Sequence, residues 1–536
     1  MIRMEIRRKQ LMLAANILGL ITMAVLARLI GDLGMAYFAG AAECYILLQI
    51  ILLSCVPECM AKMVRSRIAK GQYKNVTKVY RTSFLYCITA GVAGSLLLFC
   101  SSGFLLVRIL HMQEGVLALK ILAPAFLVNA VIAVLQGYFE GIGTAMPSII
   151  AGIIKQIFFL TFAILFSYIL FRYGEKVSLL LHNTKFANMY GAAGAATGLV
   201  CAGVITLCFL FLVYLGAGRR AGRKYRDGMR LTESSMEICR LMLITLAPLA
   251  CQRFLLRADT LLGLVFYQQN QVKDTEGLTL YGAYYGKYLV FAGLLSLLVL
   301  LFVSKMDYAV IHAAKKEENK SARDYLSAGI QALFLSGAFF AMISLVLAPH
   351  LMNLIFGSGA GTDYAAMCLR HGFLLIVVLP MGIWFFGILM TIGKRNTVLL
   401  HILSSFLFYI LFSAIGLKAA GGNPVVLVYA KWLASMLFCI LCGFFLMRML
   451  RYSPDWLHLF AFPTAACTVT GLCLFLLSKA LVSLVGELLT CIICLPVGGF
   501  CYLILILALK CVRDRDLSLL PGGKWIRGLG SLLHLI

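Results

Sequence analysis

The sequence predicts an all-α polytopic membrane protein of about fourteen transmembrane helices: two six-helix lobes in a pseudo-twofold parallel repeat, followed by two further helices, with both termini inside. Three observations predict it. Hydrophobic residues make up 62% of the 536-residue chain and charged residues only 13%, beyond the apolar share of an ordinary soluble domain. The apolar residues fall in blocks of about 20, the length a helix needs to cross the hydrocarbon core. No ten-residue alternation of the barrel type occurs, so the backbone must satisfy its hydrogen bonds within helices.

The blocks place spans at 10–30, 37–60, 83–107, 116–139, 148–171, 190–216, 237–266, 281–304, 326–356, 364–390, 397–416, 425–447, 459–478 and 488–509. The net charge of +25 would suit a nucleic-acid binder only if the bases lay on a soluble face. Instead, with the N-terminus inside, 31 of the 47 Lys and Arg residues fall in inner segments and 7 in outer ones. That asymmetry is the positive-inside pattern, and it excludes nucleic acid as a partner. Anionic lipid headgroups are the expected partners of the basic inner loops at 62–81 and 305–324. The start "MIRMEIRRKQ" reads as a basic cytoplasmic segment and not as a cleavable signal peptide.

Domain boundaries follow from a repeat. The segments 118–147 and 368–397 align at an offset of 250 without gaps, matching Leu119 with Leu369, Lys120 with Arg370, Gly137 with Gly387 and Gly143 with Gly393. Six spans separate them, so both halves keep one orientation, as in transporters built from parallel repeats. The expected division is 1–230 (spans 1–6), 231–450 (spans 7–12) and 451–536 (spans 13–14 and a cytoplasmic tail). No connecting segment has room for a soluble catalytic module, and no P-loop segment occurs, so no enzyme activity is expected. The 18 Cys lie mostly in apolar blocks without metal-ligand spacing, so neither a metal nor another cofactor is expected.

Charges inside the spans are the functional signal. Each costs roughly 2.5 to 3.5 kcal/mol at a bilayer centre, yet "CQRFLLRADTLLGLVF" (251–266) carries Arg253, Arg257 and Asp259 on one span. Arg253 and Arg257, four apart, share a helical face, whereas Asp259 points about 200° away from Arg257. Bases outnumber acids within the spans, so an internal cavity would be positive and would take an anion. A guanidinium fork matches phosphate oxygens bidentately. Arg253 and Arg257 are therefore the central candidates for a pyrophosphate site, with Arg28, Lys120 and Arg370 as further cavity bases; Asp259 and Glu43 are candidate charge partners or coupling groups. Lys155 is a further intramembrane base. Pro248 is expected to kink span 7, "YGAAGAATG" (190–198) to pack closely on a neighbouring helix, and the tyrosines of "YGAYYGKYLVF" (281–291) to form an aromatic belt at the outer mouth of span 8.

The segments "ARLIGDLGMAYFAGAAECYILLQIILLSCVPECMAKMVRSRIAKGQY" (27–73) and "LQGYFEGIGTAMPSIIAGIIKQIF" (135–158) resemble the polysaccharide exporters of the stage V sporulation protein B type. These are close to the lipid II flippases of the multidrug/oligosaccharidyl-lipid/polysaccharide (MOP) superfamily. The resemblance covers roughly residues 10–450. It implies two six-helix lobes around a V-shaped cationic cavity, with Arg28 at the position of a cavity arginine. It also implies a bacterial plasma membrane location and outward movement of an undecaprenyl-pyrophosphate-linked saccharide or peptidoglycan precursor, with a coupling ion as a possible partner. The alternative is a cation-coupled multidrug antiporter of the same superfamily, which would need acidic cavity residues.

Overall fold

A computed structural model describes residues 2–218, 233–270, 275–303, 306–316, 318–512, 523 and 528, the side chains of 2–10, 12, 319 and 485 excepted. Most of the basic segment after span 6, Lys273 and most of the C-terminal tail lie outside the described residues. Those described form helices joined by short turns, without a strand among them.

Thirteen helices among the described residues are long and apolar enough to cross a membrane. The first, Leu13–Ala69, runs for 57 residues, about 85 Å at 1.5 Å per residue against a hydrocarbon core of about 30 Å. It holds the spans expected at 10–30 and 37–60. Helix α1 (Ile2–Leu52) breaks between them at Gly31, whose φ of 69° and ψ of 172° lie in a region essentially reserved for glycine. The helix α17 (Phe462–Ala508) breaks in the same way at Gly486, with φ 77° and ψ 173°, between the last two expected spans.

By internal contacts the chain separates into a unit of Ala14–Gly286 and a unit of Met1–Leu13 with Lys287–Ile536. In the first, α1 is followed by α2 (Val56–Ala69), α3 (Tyr73–Gly103), α4 (Val116–Gly141), α5 (Met146–Leu180), α6 (Lys185–Val213), α7 (Ser235–Asn270) and α8 (Thr275–Ala283). Small residues on α6 let α5 come close: a Cβ on Gly194 or Gly198 would lie 2.4 Å from the backbone of Ser167 or Ala163. The glycine-rich run at 190–198 is thus a helix-packing surface. Ile132, Leu135, Phe139, Ala151 and Leu210 close the core among α4, α5 and α6, while Leu165, Ile169, Leu179 and Leu180 leave an exposed apolar face on α5, as lipid contact requires. α7 keeps its helical assignment through Pro248; among the described residues, α1 and α17 break at glycines.

Tyr281, Tyr284, Tyr285 and Tyr288 differ from their expected role. All four are buried and form no aromatic belt. The cause lies in the interleaved glycines. Gly282 brings α8 so close to the α1 break that a Cβ there would sit 1.8 Å from the Asp32 carbonyl oxygen, and Gly286 lies against Met35. That approach draws Tyr284 and Tyr285, which lie between them, inward.

The second unit holds α9 (Val290–Phe302), α10 (Met306–Lys315), α11 (Asn319–Val346), α12 (Ala348–Phe356), α13 (Ala360–His371), α14 (Leu375–Ile392), α15 (Arg395–Ala419), α16 (Val425–Leu450) and α17. The basic segment 305–324, read as a loop, contains the amphipathic α10 and the start of α11. The span expected at 364–390 is divided at Gly372, between α13 and α14.

The offset of 250 reappears as hydrogen bonding. After α4, the Gly143 N–H donates to Glu140 O at 3.3 Å and the Thr144 N–H to Phe139 O at 3.0 Å; after α14, Gly393 donates to Met390 O at 3.2 Å and Lys394 to Leu389 O at 3.0 Å. Gly143 and Gly393 take φ of +88° and +96°, where a glycine is needed to end the helix. The sequence match therefore marks the same helix terminus in each unit.

Candidate anion site on the seventh span

α7 carries Arg253 and Arg257 one turn apart, and both reach carboxylates of the second span. The Arg257 Nη2 donates to Glu43 Oε1 on α1. The same oxygen accepts the Tyr285 hydroxyl at 2.9 Å. Glu43 is wholly buried, whereas 41% of the Arg257 side chain is exposed. Two polar atoms of this pair, Glu43 Oε2 and Arg257 Nε, are buried without a hydrogen-bond partner among the described residues. A buried carboxylate oxygen and a buried guanidinium N–H left unmade each cost free energy, so the pair is under-coordinated as it stands.

Arg253 is held at two points. Its Nη1 donates to the Ser54 carbonyl at 2.7 Å and its Nη2 to Glu58 Oε2 at 2.8 Å. Ser54 lies in the turn where α1 ends and α2 begins, and helix ends leave carbonyls in need of donors. Glu58 also takes Lys62 Nζ at 2.8 Å, so this cluster carries one more base than acid. Asp259 accepts the Thr260 hydroxyl at 3.2 Å and adds to the negative potential at Arg257.

The remaining candidates are dispersed. Arg28 is exposed, three residues before the Gly31 break. Lys120 lies 5.6 Å from the Phe99 ring and lines a cavity of about 530 Å³ with Glu114 and Lys185. Arg370, in the second unit, lines an apolar groove of about 870 Å³ with Phe334, Met342, Phe373, Leu472 and Phe475. The structure thus brings together Arg257, Glu43 and Asp259, and sets Arg253 beside Glu58. Glu58 carries no stronger sequence signal than an acid near a span end, and sequence reasoning missed Tyr285 as a donor to Glu43. Tyr285 is one of four tyrosines with the same local signal.

These helices define a multi-pass α-helical membrane protein whose first unit holds a charged cluster built on the buried Glu43. Its fold is that of the MOP-superfamily transporters. The chain matches the inward closed conformation of the lipid II flippase MurJ with a TM-score of 0.63 at 13% identity, over 93% of this chain and 98% of that one. It matches the inward-facing conformation of a multidrug resistance MATE family transporter of the MOP superfamily with a TM-score of 0.63 at 13% identity, over 81% and 95%. Among curated proteins, stage V sporulation protein B of Bacillus subtilis (strain 168) is 20% identical over 369 residues. That match spans 66% of each chain, just under two thirds of the relative's length. No family model matches.

Proposed function

We propose that the protein is a transporter that moves an undecaprenyl-pyrophosphate-linked saccharide or peptidoglycan precursor from the inner to the outer leaflet by alternating access. Arg257 and Arg253 receive the pyrophosphate. The observation that carries this reading is the Arg257–Glu43 pair: a partly exposed arginine side chain held by a wholly buried carboxylate. An arriving pyrophosphate offers more oxygens to the guanidinium than the single Glu43 oxygen does, and displaces it. Glu43 then keeps the Tyr285 hydroxyl and is neutralised by a proton or a small cation, which supplies a coupling ion. Asp259 raises the local negative potential and favours release. In the first unit Arg28 and Lys120 serve as further bases for the headgroup; in the second, Arg370 is a further base and the apolar groove beside it suits a polyprenyl tail. A headgroup with two negative charges moving outward gains roughly 2.3 kcal/mol per charge per 100 mV of inside-negative potential. The likeness to the lipid II flippase fold supports the substrate class.

The buried acid Glu43 favours a second reading, cation-coupled multidrug antiport. One experiment separates them. Protein is reconstituted in vesicles with an undecaprenyl-pyrophosphate-linked saccharide in both leaflets, and the substrate reached by an external glycosidase is followed over time, alongside efflux of a cationic dye. Flipping lost in Arg257→Gln at an undiminished amount of folded protein supports the proposal, whereas loss of the protein itself makes the pair with Glu43 structural. Dye efflux that needs Glu43, without flipping, establishes the antiporter.

A further inference from the structure

A second polar cavity lies within the Ala14–Gly286 unit, and the transport reading leaves it unused. It has a volume of about 250 Å³ and is lined by Gln49, Ser54, Asn129, Gln136, Lys155 and Thr206, with apolar residues completing the wall. Lys155 sits nine residues into α5. Its Nζ donates to Asn129 Oδ1 at 3.1 Å, and among the described residues no carboxylate lies within ion-pair distance. The Asn129 amide nitrogen donates in turn to the Tyr45 hydroxyl, which fixes the amide with its oxygen toward the lysine.

A lysine ammonium part-buried among helices gains from a counter-charge, since a charge drawn out of water carries a penalty above that of a neutral polar group. One carbonyl oxygen does not supply it. Two of the three ammonium N–H groups remain, and the Gln49 and Gln136 side-chain amides have no hydrogen bond among the described residues, so their N–H groups are available too. The hydroxyls are already committed: Ser54 Oγ donates to Ile50 O at 3.0 Å and Thr206 Oγ1 to Ala202 O at 2.7 Å. The wall therefore offers a lysine amine, spare N–H donors and no acid. We infer that this cavity binds a small inorganic anion of the halide class, held by Lys155 with the amides of Gln49 and Gln136. The volume admits a halide with a few waters, at about 30 Å³ of liquid volume per water, and leaves no room for a saccharide headgroup. Ser54 ties this cavity to the arginine cluster, because its carbonyl is the Arg253 anchor.

The test uses the purified full-length protein. Its thermal midpoint is followed as sodium gluconate is replaced by chloride or bromide at constant ionic strength. The wild type gains several degrees with saturation, Lys155→Arg keeps the response, and Lys155→Met loses it. Gln49→Leu with Gln136→Leu raises the half-saturating chloride concentration about tenfold, which keeps the site testable should Lys155→Met fail to fold. A bromide peak beside Lys155 in a crystal would agree. An absent halide response in the wild type overturns the inference, as does a response that survives Lys155→Met, or one abolished by Arg257→Gln and untouched by the glutamine changes.

Discussion

Replacing Arg257 by Gln should destabilise the protein more than replacing Glu43 by Gln, although both remove the same ion pair. Opposite unit charges about 4 Å apart attract by about 4 kcal/mol at an effective dielectric of 20, and that attraction is lost either way. What remains differs. Arg257→Gln strands a carboxylate that is wholly buried, with the Tyr285 hydroxyl as its remaining donor among the described residues; breaking a buried pair in this way costs roughly 3 to 5 kcal/mol. Glu43→Gln leaves a guanidinium with 41% of its side chain exposed, and water recovers part of its solvation, so the cost falls to about 1 to 2 kcal/mol. The double variant leaves no stranded charge and should be more stable than Arg257→Gln alone, with a coupling of about 2 kcal/mol between the sites. Equilibrium unfolding in mixed micelles measures all four proteins, and vesicle flipping is read in parallel. Glu43→Gln costing as much as Arg257→Gln, or a double variant no better than Arg257→Gln, would refute the burial asymmetry on which the pair's proposed release depends.

Gly282→Ala should abolish the folded protein, because the added methyl would lie 1.8 Å from the Asp32 carbonyl oxygen; the monodisperse fraction after size exclusion reads this directly. Gly31→Ala meets nothing closer than Asn188 Oδ1 at 3.9 Å, so its cost is backbone strain alone, about 1 to 3 kcal/mol by unfolding. Arg253→Lys should keep only part of the flipping rate, since an ammonium lacks the planar fork that holds Ser54 O and Glu58 together. For orientation, a protease site inserted after Lys70 should resist external protease in spheroplasts and one after Asn183 should be cut; the reverse at both would invert the assigned sidedness.

Most of the fold was legible because apolar block length is a one-dimensional signal. Lipid forces the chain to repeat that signal at every crossing, and the Gly143 and Gly393 match survived because only glycine closes those helix ends. The tyrosine run misled for a physical reason: Tyr-rich helix ends suit both an interface belt and a glycine-lined contact, and Gly282 and Gly286 were the discriminating residues. At the candidate site, helical periodicity set Arg253 and Arg257 on one face; it also set Asp259 away from Arg257, whereas the fold leaves the two close enough to interact electrostatically. The partners were harder to read. Glu43 and Glu58 stand about 200 residues from the arginines in the chain, and their distance in space depends on how α7 packs on the first two helices, which no local pattern encodes.

The breaks at Gly31 and Gly486 have a mechanical consequence. A connecting loop absorbs movement, because each of its residues contributes soft torsions that let one helix shift while the next stays still. Here each pair of helices is joined through a single residue, so the joint has little more than one φ and one ψ to turn. The segment before Gly31 and the segment that carries Glu43 are then two rigid arms about a shared pin, and the carboxylate that clasps Arg257 rides on the second arm.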